Sequence, residues 1–95
     1  MFKRTLSHPE AAAEAIAYYE KQLAREPGEE EWALGLEVAR WWQRLMQSDN
    51  PAPEQISRLT LVLAAKRREM GPAWLDLCGR VETWRRERNQ PRANP

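Results

Sequence analysis

The stretch between Pro27-Gly28 and Ser48 constrains this chain most, because as a helix it would be apolar over more than half of its circumference. Leu34, Val38, Trp41 and Leu45 recur at helical spacing and form one stripe. Gly35, Ala39, Trp42 and Met46 form the stripe beside it. Glu37, Arg40, Arg44 and Gln47 are left with a narrow polar face. A helix of this kind cannot lie on a surface with one neighbour; it has to touch at least two. Helix two is therefore expected at the centre of the fold. Glu29, Glu30 and Glu31 open it, which suits the positive end of the helix dipole.

The flanking segments read as helices too. Ser7 can cap the first one, and Glu10 completes a capping box. Ala12, Ile16, Tyr19 and Leu23 then fall on one stripe, with Ala15 beside it. Glu14, Tyr18, Lys21 and Arg25 share the opposite face and read as solvated and ion-paired. After the break Ser48-Asp49-Asn50-Pro51-Ala52-Pro53, either Asn50 or Ala52 can cap a third helix that starts on a proline. Ile56, Leu59, Leu63 and Met70 form its core face, and Gly71-Pro72 ends it. The fourth helix aligns Trp74, Leu77, Cys78, Val81 and Trp84, with Asp76→Arg80 and Glu82→Arg86 as favourable i,i+4 pairs outside. The expected fold is all-α: a compact bundle of four short helices with helix two central. An N-terminal extension (1–6) precedes a single helical domain (7–89), and a disordered tail (90–95) follows.

Glu14-Ala15-Ile16-Ala17-Tyr18-Tyr19-Glu20-Lys21-Gln22-Leu23, closed by Pro27, has the local pattern of a tetratricopeptide second helix. Trp32-Ala33-Leu34-Gly35 falls one residue out of register and no later helix resumes the pattern. A solenoid needs about three repeats, so none is expected.

At 95 residues the chain is long enough to bury a modest core unaided. With 42% hydrophobic and 31% charged residues it reads as globular. Its single cysteine has no internal partner, which points to a reducing, cytoplasmic setting. No long apolar stretch follows Lys3 and Arg4, so neither a signal peptide nor a membrane span is expected.

No catalytic constellation emerges. His8 is the only histidine and has no companion ligands, so a metal site is not expected. Cys78 reads as a small core hydrophobe on the apolar face of helix four. Glu29, Glu30 and Glu31 are consecutive, so they diverge around the helix and cannot converge on a cation. The four glycines are scattered, which excludes a phosphate loop. The five tryptophans read as core; Trp41 and Trp42 are adjacent and point into different clefts, while Trp32, Trp74 and Trp84 sit near helix ends, where an indole N–H can reach a carbonyl or water. No enzyme and no cofactor are expected.

Two features point to a binding partner. Apolar residues exceed what one stripe per helix needs, notably Leu36, Leu61 and Leu75. Leu61 with Ala64 and Ala65 makes a low strip on helix three that another helix can approach. Charge supplies the second feature. Residues 1–50 carry six basic and nine acidic side chains, net −3, and residues 51–95 carry nine basic and five acidic, net +4. Lys66, Arg67 and Arg68 lie near the end of helix three; Arg85, Arg86, Arg88 and Arg92 lie near the end of helix four. In an antiparallel hairpin the two clusters stand at opposite ends rather than forming one patch. The sequence thus points to a non-enzymatic protein–protein interaction module: an adaptor, an inhibitor or a small subunit of a larger assembly. The expected partner-binding residues are Leu61, Ala64, Ala65, Arg85, Arg86 and Arg88. The partner is another protein, or a second copy of the chain. The alternative is a helical subunit of a nucleoprotein complex that contacts nucleic-acid phosphates through the C-terminal arginines without reading bases.

Overall fold

A computed structural model describes residues 7–89 of the chain. The N-terminal extension expected at 1–6 and the disordered tail expected at 90–95 lie outside the described residues. Four helices follow one another: α1 (His8–Arg25), α2 (Glu30–Gln47), α3 (Pro53–Ala65) and α4 (Pro72–Asn89). No strand occurs among the described residues, and none of their helices is long and apolar enough to cross a membrane.

The helix starts are set locally. Ser7 Oγ accepts from the Glu10 amide at 3.3 Å, and Glu10 Oε1 accepts from the Ser7 amide at 3.0 Å. This is the expected capping box, which satisfies two otherwise orphan donors. For α3 the choice between Asn50 and Ala52 falls on Ala52, with Pro53 in the first turn. Among the three glutamates opening α2, Glu31 does more than complement a dipole. Its Oε2 accepts the Gly71 amide at 3.1 Å and so ties the start of α2 to the start of α4.

Helix α2 packs on all three other helices, as its broad apolar arc requires. Helix α4 also touches all three, whereas α1 and α3 do not approach each other. Arg80 of α4 reaches back to the start of α1, where it donates to the Ala11 carbonyl at 3.0 Å and to Glu14 at 2.5 Å. His8 and Glu87 meet at 2.7 Å at the far end of the same antiparallel pair. Glu14 is therefore a tether between helices rather than part of a purely solvated face.

The core runs through Ala12, Tyr19, Val38, Ala39, Trp42, Leu59, Leu63, Trp74, Leu77 and Val81. Four sequence expectations shift. On α1, Ala11, Ala12, Ala15 and Tyr19 are buried while Ile16 and Leu23 are only partly so, because α1 faces α2 and α4 together. Leu36, expected as surplus, is 8% exposed and belongs to the core. Trp42 is fully buried, but Trp41 is only partly covered; the two do not share the centre equally. Helix α3 stops at Ala65, one turn and more before Gly71, and residues 66–69 form turns. The reason is a competing donor. Trp74 Nε1 donates to the Leu63 carbonyl at 2.9 Å, and the Arg67 amide turns to Ala64 O at 3.2 Å. Met70 consequently reaches the core from a turn and not from a helical face.

Candidate functional site

The surface that combines the expected partner-binding residues is the seam between α3 and α4. Thr60 and Ala64 line it from α3, Arg67 from the turn that follows, and Leu75, Gly79 and Glu82 from α4. The α4 triplet follows the i, i+4, i+7 spacing of a single helical stripe, and Thr60 and Ala64 stand one turn apart on the facing helix. Buried Leu63 and Val81 close the floor, and the recess measures about 250 Å³. A second recess of about 200 Å³ continues the seam toward the start of α3, where Ser57 and Ile56 face Arg85 and Arg88.

Leu75 on the wall of this seam is 45% exposed, and Leu61, on α3 but outside both recesses, is 67% exposed. They are two of the three large hydrophobic side chains left exposed among the described residues; the third is Tyr18. Ala64 lines the seam and Ala65 lies exposed next to it. Arg85 and Arg88 line its lower end, while Arg86 lies outside both recesses and is 72% exposed at its side chain. The fold thus brings Ala64, Arg85 and Arg88 onto one seam, whereas Leu61 and Ala65 lie outside both recesses.

The arginines of α4 are engaged within the chain. Arg85 donates to Glu82 at 2.7 Å, and Arg86 lies 3.9 Å from the same carboxylate. The hydrogen bond from Arg85 holds the Glu82 carboxyl below the usual carboxylate range, although the group is largely exposed. The Arg88 guanidinium sits over the Trp84 ring, 5.5 Å from its centroid. The i,i+3 partner Arg85 is thus the closer contact of Glu82, ahead of the expected i,i+4 partner Arg86. At the other end Lys66 pairs with Glu69 at 3.7 Å, but Arg67 and Arg68 make no ion pair among the described residues. The two basic clusters occupy opposite ends of the seam.

Cys78 departs from the expectation of a core hydrophobe. It is half-buried, lines the seam, and its Sγ lies 3.8 Å from Leu63 O. Burial pushes its thiol up, partly offset by the charge of Arg67. Sequence reasoning missed Arg67, Thr60 and Gly79 as seam residues; no sequence signal marks them, because the two walls meet only when α3 and α4 pack.

A second cleft, about 370 Å³, lies between α1 and α4 around Tyr18, Ala73 and Arg80. Its one cation is spent: Arg80 donates from Nε, Nη1 and Nη2 to Asp76, Ala11 O and Glu14. That cleft is a structural joint. Among the described residues no group of three or more His, Cys, Asp or Glu side chains is placed to hold a metal ion.

No family model, curated protein or solved structure matches this chain.

Proposed function

We propose that the chain is a non-enzymatic interaction module that binds another protein through the α3–α4 seam, as an adaptor, inhibitor or small subunit. The observation that carries this reading is Leu75, exposed on the wall of a recess whose floor is the buried pair Leu63 and Val81, while α3 leaves Leu61 exposed as well. Isolated exposed leucines are ordinary on a protein surface; one standing on the wall of an apolar trough is how helix-binding surfaces are built. The module works in the cytoplasm, where Cys78 stays a thiol.

A protein partner is favoured over nucleic acid because the two basic clusters lie at opposite ends of the seam with an apolar recess between them, rather than forming one basic patch.

The test is affinity capture from the native host with and without nuclease, followed by reconstitution with the purified partner. Capture should survive nuclease, and Leu61→Arg should abolish the reconstituted complex while the isolated chain melts as before. Capture lost to nuclease would instead favour the nucleoprotein reading. A Leu61→Arg chain that binds normally would remove the seam from consideration.

A further inference from the structure

We infer that the occupant of the seam is an amphipathic α-helix of a partner protein, carrying carboxylates at both ends of a short apolar stripe. This rests on the reading of the seam as a protein-binding surface and adds what the partner must look like. Three observations lead there.

The first is shape. From Ser57 to Ala64 the seam follows α3, about 10 Å at a rise of about 1.5 Å per residue, and the turn that carries Arg67 extends it. That matches roughly two to three turns of an incoming helix. The second is hydrogen bonding. Both walls are α-helices whose main-chain groups bond internally, so the seam offers no backbone ladder to an extended strand. An occupant has to satisfy its own backbone, and a helix does so.

The third is charge. Arg67 lines one end of the seam, and Arg85 and Arg88 line the other. Arg58 and Arg68 flank Leu61 and, like Arg67, make no ion pair among the described residues. The carboxylate in the recess, Glu82, is already held by Arg85. The field across the seam is therefore positive at both ends over an apolar middle. Complementarity asks for acidic residues roughly two to three helical turns apart with small apolar residues between them. A second copy docked seam to seam would set arginine against arginine, which that same complementarity disfavours.

Gly79 provides the handle for a test. A Cβ at this position would meet no atom within 4 Å, so a larger side chain there enters the recess without disturbing the chain's own packing. The probe is a phage-displayed library of amphipathic helical peptides with a fixed apolar stripe and flanking positions varied over Glu, Lys, Gln and Ser. Selected peptides should be rich in Glu at both flanks. Their affinity should fall roughly tenfold or more for Gly79→Leu, for Leu75→Arg and for Arg67→Glu, each confirmed folded by circular dichroism. A saturating selected peptide should also slow alkylation of Cys78 by roughly fivefold or more, since the thiol lines the recess. Recovery of no binder, of Lys-flanked binders, or of binders indifferent to Gly79→Leu would overturn the inference. A native partner held by a contact that Leu61→Arg breaks and Gly79→Leu spares would overturn the inference alone. A native partner indifferent to both substitutions would end the seam reading as well.

Discussion

Trp74 Nε1 donates to the carbonyl of Leu63 at 2.9 Å, across the turn that joins α3 to α4. This bond takes the acceptor that the Arg67 amide would use in a continuing helix, and so fixes the end of α3. Trp74→Phe keeps most of the ring but loses the donor. It should cost about 1–3 kcal/mol, the range for a buried acceptor left without its partner. Denaturant melts measure the loss. Cα chemical shifts at Lys66 and Arg67 should move toward helical values if Leu63 O is released to the Arg67 amide.

Two glycines within helices should respond in opposite directions. At Gly35 an added Cβ would lie 2.6 Å from Tyr19 Cδ1, with other ring atoms nearer still, and the ring is buried and cannot retreat. Gly35→Ala should destabilise by about 1–2 kcal/mol, the overpacking cost less the gain in helix propensity. At Gly79 the space is open, so Gly79→Ala should stabilise by about 0.5–1 kcal/mol. Equal midpoints for the two variants in urea would contradict both assignments.

Tyr19 is buried, and its hydroxyl has no hydrogen-bond partner among the described residues. Tyr19→Phe should therefore leave stability unchanged or raise it by up to about 1 kcal/mol near neutral pH. Burial, with Glu31 adding to it, pushes the phenol well above the ordinary tyrosine range. The folded value exceeds the unfolded one, so stability is intact below about pH 10 and is lost as pH climbs from there. Urea melts at about pH 7 and about pH 11 should show a smaller alkaline loss in Tyr19→Phe than in the parent. An equal loss in both would assign the alkaline sensitivity elsewhere.

The adjacent tryptophans of α2 should separate cleanly. Trp42 is fully buried and meets Trp84 edge-on at 6.3 Å between centroids. Trp42→Ala should cost about 3–5 kcal/mol. Trp41 keeps part of its ring in water, so Trp41→Ala should cost roughly 1–2 kcal/mol for the smaller area it covers. Thermal melts of the two variants decide the ranking; a reversed order would place Trp41 in the core.

What the amino-acid sequence determined alone is what short-range chemistry controls. Ser7 and Glu10 meet three residues apart, so their capping box was readable. The Pro-Gly and Gly-Pro breaks delimit helices because glycine and proline act on their own backbone. The apolar arc of α2 forced it into contact with several neighbours, and the surplus at Leu61 and Leu75 was visible as unused hydrophobic surface. Periodicity, however, gives a face only up to a rotation about the helix axis. It could not say that Leu36 turns inward, or that Trp42 rather than Trp41 takes the centre. Nor could it pair Thr60, Ala64 and Arg67 with Leu75, Gly79 and Glu82, since these stripes meet only when α3 and α4 pack. The end of α3 was equally hidden, because its cause is an indole eleven residues away from the carbonyl that it takes. Tertiary packing decided these points: it selects which of several locally equivalent faces and acceptors is used, and only the assembled core supplies the competing contacts that make that choice.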